Sequence, residues 1–119
     1  MELTDSAEMA YDRDLANRVR EQLADEQAIT EKAMFGGLAF LLHGNMSVGL
    51  SSSGELIVRL RPDETDDALA QPHTRIFDMT GRPMKGWILV APEGVKTKRE
   101  LQAWVRRGTD FARSLPPKG

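Results

Sequence analysis

A chain of 119 residues with net charge −2, 40% hydrophobic and 29% charged side chains is one domain's worth, and no global field draws it to nucleic acid or an acidic membrane. The absence of cysteine excludes disulfide staples, thiolate nucleophiles and cysteine metal sites, and fits a cytoplasmic setting. The longest apolar runs, Leu38 to Leu42 and Trp87 to Ala91, are strand-length, far short of the roughly 20 residues that span a bilayer. The acidic N-terminus carries no basic-then-apolar signal segment. Residues 1–8 are expected as an unstructured extension, residues 9–117 as a single domain, and residues 118–119 as a tail.

In chain order, Asp12 is expected to open a helix that runs to about Asp25, because Tyr11, Leu15, Val19 and Leu23 recur every four residues. Ile29 to Met34 reads as a strand, which the pair Gly36-Gly37 bends or bulges. Glycine there excludes side chains and admits another backbone. Leu38 to His43 and Met46 to Ser51 form a hairpin across Gly44-Asn45. A two-residue loop puts Phe40 opposite Gly49; a three-residue loop aligns Leu38, Phe40 and Leu42 with Leu50, Val48 and Met46. Turn chemistry favours the first register and hydrophobic matching the second, so the register stays open, with the first preferred.

Ser52-Ser53-Gly54 makes the next turn, and Glu55 to Arg61 alternates with Leu56, Val58 and Leu60 on one face. Pro62, followed by Asp63, Glu64, Asp66 and Asp67, starts a short helix ending near Gln71, the carboxylates suiting the positive end of its dipole. A short strand is expected near Arg75 to Asp78, and Trp87 to Ala91 is a strand apolar on both faces. Thr97-Lys98-Arg99-Glu100 matches a capping box, and Leu101, Trp104, Val105, Gly108, Phe111, Ala112 and Leu115 keep helical spacing until Pro116-Pro117. Gly108 inside that stripe implies close packing. The fold expected is α+β: an antiparallel sheet of about five to six strands with helices mainly on one face, leaving the other to water or a partner, so that a homodimer is plausible.

Nothing in this pattern assembles chemistry. Phe35-Gly36-Gly37-Leu38 lacks the lysine and serine or threonine of a phosphate loop, and a strand follows where a helix should. His43 and His73 stand alone beside turns, without a second metal ligand or a nucleophile. The acids at 63–67 lack the spacing of a calcium loop. No catalytic residue, metal or cofactor is expected. Charge is nevertheless asymmetric: residues 1–31 hold nine acids against three bases, and residues 72–119 hold ten bases against four acids. A basic surface of Arg82, Lys85, Arg99, Arg106 and Arg107 is a candidate for binding a phosphate backbone; the bland reading pairs it with the acidic first helix.

Met9-Ala10-Tyr11-Asp12, the run Lys32-Ala33-Met34-Phe35-Gly36-Gly37-Leu38-Ala39-Phe40, Gly44-Asn45-Met46 with Gly49, and Gly81-Arg82-Pro83-Met84-Lys85-Gly86-Trp87 together resemble the N-terminal domain of the TfoX/Sxy family. The closing segment from Phe111 to Pro116 is similar too, so that the resemblance spans nearly all of residues 9–117. It implies an α+β fold of the secretion-chaperone-like type and cytoplasmic bacterial regulators of competence for DNA uptake that act with the transcription machinery. Longer members carry a second, helical domain after this one; the present chain is expected as the stand-alone N-terminal domain. No catalytic residues come with the resemblance.

Three readings follow. The first is a non-enzymatic interaction module, homodimeric, that meets a protein partner through Met34, Phe35, Gly36 and Gly37 or through the exposed sheet face. The second is a nucleic-acid binder using the basic surface. The third, a small enzyme or ligand carrier, would need a deep apolar pocket with converging polar groups.

Overall fold

The computed structural model describes residues 11–34, 36–78 and 81–117; the expected extension at 1–8 and tail at 118–119 lie outside the described residues. The elements are α1 (Arg13–Gln22), β1 (Ile29–Met34), β2 (Gly37–Leu42), β3 (Asn45–Leu50), β4 (Leu56–Arg59), a 3-10 turn (Pro62–Glu64), α2 (Thr65–Leu69), β5 (Thr74–Asp78), β6 (Pro83–Val90), a second 3-10 turn (Pro92–Val95) and α3 (Lys98–Ser114). The six strands form one sheet in the order β1-β2-β3-β4-β6-β5, every neighbouring pair antiparallel. The α+β class and strand number expected from sequence are those found. No described helix is long and apolar enough to cross a membrane.

The core lies between one sheet face and the helices. Leu38, Phe40, Val48, Leu50, Leu56, Val58, Ile88 and Val90 from the strands meet Leu15 and Val19 of α1, Ala68 of α2, and Leu101, Trp104 and Val105 of α3. Each large apolar side chain buried there contributes roughly 1.5–3 kcal/mol. The Asp12 carboxylate caps α1 by accepting from the Leu15 N–H at 3.1 Å. That helix ends at Gln22, three residues short of the expected end, with Leu23 as its buried cap. The capping box of α3 forms as read: the Glu100 N–H donates to Thr97 Oγ1 at 3.1 Å, and the Thr97 N–H to Glu100 Oε1 at 3.0 Å.

Two hairpins differ from expectation. Gly36 sits in the turn that joins β1 to β2, with φ +76°, and Met34 pairs with Gly37. The glycine pair therefore does not bulge a continuous strand; it closes a hairpin. Between β2 and β3 the turn is His43-Gly44, one residue earlier than predicted, with both φ positive as a primed turn requires. Leu42 faces Asn45 and Leu41 faces Met46; the register then shifts, so that Phe40 faces Val48 and Leu38 faces Leu50. The preferred pairing of Phe40 with Gly49 is thus overturned. Chain and core both obtain what they favour, because a bulge at Ser47 absorbs the odd residue, its hydroxyl donating to the Phe40 carbonyl at 3.0 Å. Asn45 is no turn residue; it is buried, and its Nδ2 donates to the Pro116 carbonyl at 2.9 Å, tying the end of α3 to the sheet.

Strand alternation decides what the helices leave uncovered. Leu56 and Val58 point into the core opposite Val90 and Ile88, so Ile57 and Arg59 share the other face with their partners Leu89 and Trp87. Arg75 pairs with Leu89 and belongs to that face as well. Strand β6 starts at Pro83, four residues before the predicted Trp87.

Candidate functional site

The helix-free face carries a groove of about 360 Å3. Its apolar lining includes Met46, Ile57, Phe77, Trp87 and Leu89, while Ser51, Ser52, Ser53, Glu55 and Arg75 supply polar edges. Phe77 and Trp87 form a tilted pair with ring centroids 6.4 Å apart. Ile57 and Leu89 are 9% and 3% exposed although no helix lies over them, because the larger neighbours shelter them. Gly37 touches the groove, and a Cβ there would collide with the Leu50 carbonyl oxygen. Backbone is admitted where the sequence anticipated it.

Three charged residues line the groove, Glu55, Arg75 and Asp78, and the first two are paired. Arg75 Nη2 donates to both Glu55 oxygens at 2.8 and 2.9 Å, and its Nε to Oε2 at 3.2 Å. The volume sits at the low end of the roughly 300–1,000 Å3 typical of small-molecule pockets. Among the described residues, no group of three or more His, Cys, Asp or Glu is placed to hold a metal ion.

Of the residues first singled out, Gly36 is exposed in its turn and Gly37 lies in the groove; Phe35 and the Met34 side chain lie outside the described residues. The basic set is divided. Arg82 and Lys85 are exposed at the start of β6, whereas Arg99 is exposed in the first turn of α3, which follows the other end of that strand. Eight extended residues separate those ends by roughly 25 Å. Arg106 is exposed on α3, but Arg107 is half-buried, its guanidinium over the Trp104 ring at 5.2 Å and its Nη2 3.4 Å from Asp67. The basic C-terminal segment also pairs with the acidic N-terminal one, through Arg113 to Glu26 at 2.6 Å; that contact holds the Arg113 guanidinium above its ordinary value.

A smaller cleft of about 230 Å3 opens beside α3, lined by Gln71, His73, Glu100, Trp104 and Arg107 among others. His73 adopts φ +65° there, an uncommon conformation for a side chain with a Cβ.

One residue the sequence reading passed over stands out. Arg59, read only as the charged outer side of a strand, holds its guanidinium over the Trp87 ring at 5.1 Å and over the Phe111 ring of α3 at 5.2 Å. Burial pushes its pKa down from the ordinary arginine value. The alternation of β4 and the two-faced apolarity of β6 were the available signals; the ring from α3 was not visible in either.

The model of the TfoX N-terminal domain matches residues 21–112 of the chain. The chain belongs to the TfoX N-terminal domain family. The match takes in the whole sheet and most of α3, so the groove and the Arg59 site are built on the family's own framework. No curated protein and no solved structure matches the chain.

Proposed function

We propose that this TfoX N-terminal domain is a non-enzymatic regulatory module that holds a protein partner on its helix-free sheet face. The observation that carries the reading is the apolar groove of about 360 Å3 with the tilted Phe77–Trp87 pair in it. Aromatic residues, methionine and arginine are the side chains that interfaces concentrate, and this face presents all three. Family membership supports a regulatory role of the competence type, with cytoplasmic action alongside the transcription machinery as the corresponding setting. In the same reading the chain forms a homodimer, with β1, an edge strand whose residues 31–33 are exposed, available for pairing. Light scattering should then give twice 13.3 kDa.

The test is partner capture with wild type, with Ile57→Lys, which puts a charge into the groove, and with the Arg99→Glu, Arg106→Glu double variant, each checked for an unchanged circular dichroism spectrum. The reading predicts a captured protein lost with Ile57→Lys and kept with the double variant. Loss with the double variant alone contradicts it.

Nucleic-acid binding is the second reading. Arg99 and Arg106 favour it, both exposed and about two helical turns apart on one side of α3. It predicts log affinity falling with log salt at a slope of about −0.9 per duplex phosphate neutralised; absence of binding at low salt eliminates it.

A further inference from the structure

Arg59 differs from every other described arginine. Arg18, Arg20, Arg61, Arg75, Arg107 and Arg113 donate to carbonyl or carboxylate oxygens within the chain. Arg13, Arg82, Arg99 and Arg106 are exposed to water. Arg59 is half-buried, held between two rings from different elements, and makes no hydrogen bond or ion pair among the described residues. A guanidinium removed from water without a counter-charge is costly, and its planar fork is shaped to take a carboxylate in two parallel hydrogen bonds. None of the buried side-chain nitrogens or oxygens lacks a partner, so the Arg59 nitrogens keep an opening to solvent. The ring contacts fix the fork in place before any ligand arrives, which lowers the entropy lost on binding.

Trp87 belongs both to this clamp and to the apolar groove. Arg59 does not itself line the groove, but it stacks on the Trp87 ring 5.1 Å from the centroid, so a ligand packed against that ring lies next to the guanidinium. We propose that Arg59 is the anchor for a side-chain carboxylate of the partner, whose flanking apolar residues fill the groove beside Trp87. The inference rests on the reading of this face as a partner surface and names the chemistry of what it holds.

The apolar groove beside the fork favours a peptide over a polyanion: a phosphate backbone has no apolar side chains to fill it, and Asp78 in its lining repels further charge. The acids on and against α3 are themselves paired, Asp110 with Arg113 and Asp67 with Arg107. In an extended partner, residues i and i+2 share a face about 7 Å apart. A segment of the form apolar-x-apolar-x-acidic would place its apolar side chains in the groove and its acid on Arg59.

The test uses the whole chain and a capped peptide, Leu-Ser-Leu-Ser-Glu, beside its counterpart ending in glutamine, followed by nitrogen–proton NMR at the Arg59 Nε–H and the Trp87 indole N–H. The expected result is a saturable shift of both signals with the glutamate peptide, and at least tenfold weaker binding of the glutamine peptide. Arg59→Lys, which keeps the charge and loses the fork, should weaken the glutamate peptide at least tenfold and narrow its preference over the glutamine peptide. Equal affinity of the two peptides for the wild type overturns the proposal. So does an Arg59 signal that neither peptide moves at millimolar concentration, or one that a single-stranded oligonucleotide moves in preference to the glutamate peptide. If Ile57 and Leu89 methyl signals shift alike with both peptides while Arg59 stays still, the groove remains a partner surface and only the anchor fails.

Discussion

Gly108→Ala reverses the usual sign of a helical substitution. In an exposed helix interior, replacing glycine by alanine stabilises by about 0.5–1 kcal/mol. Here α3 lies so close to β3 that a Cβ at position 108 would collide with the Ser47 carbonyl oxygen, 2.7 Å from Val48 Cγ1 and 3.0 Å from the Ser47 carbonyl carbon. The Ser47 backbone cannot yield, because its bulge is pinned by the bond from its own hydroxyl to the Phe40 carbonyl. Because the obstacle is backbone, the cost falls in the upper half of the about 1–3 kcal/mol of overpacking, which exceeds the propensity gain and leaves a net loss of about 1–2 kcal/mol. For a domain of this size that lowers Tm by roughly 4–8 °C. Urea unfolding followed by tryptophan fluorescence gives the number, with Ala103→Gly, on the exposed side of the same helix, as the propensity control; it should lose about 0.5–1 kcal/mol. A Gly108→Ala protein as stable as wild type, or more stable, would refute the close approach of α3 to β3.

Two further outcomes follow from buried and paired polar groups. Asn45→Ala should lose about 1 kcal/mol with the bond to the Pro116 carbonyl, and Asn45→Asp should lose more at neutral pH, where a carboxylate faces that oxygen; acidification, by protonating the aspartate, should narrow the gap between the two in thermal melts. Glu31 has its pKa lowered chiefly by the hydrogen bond from Arg20, so its contribution is present above the ordinary carboxylate value and lost as pH falls through the depressed one. Both side chains are more than a third exposed, which keeps the effect under about 1 kcal/mol; wild type and Glu31→Gln should differ at pH 7 in chemical denaturation and converge in acid.

Sequence made the helices readable because each rests on one local rule. Asp12 and Thr97 cap where they stand, and the stripes from Leu15 and from Leu101 bury as their spacing demands. The β2–β3 register was not readable, because turn and core each favoured a different pairing and only a bulge, which has no fixed sequence signature, reconciles them. The first half of β6 was hidden by Pro83 and by Gly86, whose φ of +86° interrupts the alternation. The glycine corner was legible as a place where backbones meet, and the Leu50 carbonyl against Gly37 shows why. The groove and the Arg59 clamp were not, since each depends on side chains from separate strands, or from strand and helix, meeting in space. Of the basic residues picked out by charge counts alone, Arg82 and Lys85 stand at the start of β6 and Arg99 beyond its other end, roughly 25 Å away, a spacing that only the strand's course reveals.

The most direct test of the central claim is site-specific photo-crosslinking in host cells. A benzophenone amino acid is placed at Phe77, in the groove, or at Arg106, on the exposed side of α3. The helix-free face as partner surface predicts a discrete protein adduct from position 77 and none from position 106. An adduct from position 106 with none from position 77 would contradict it.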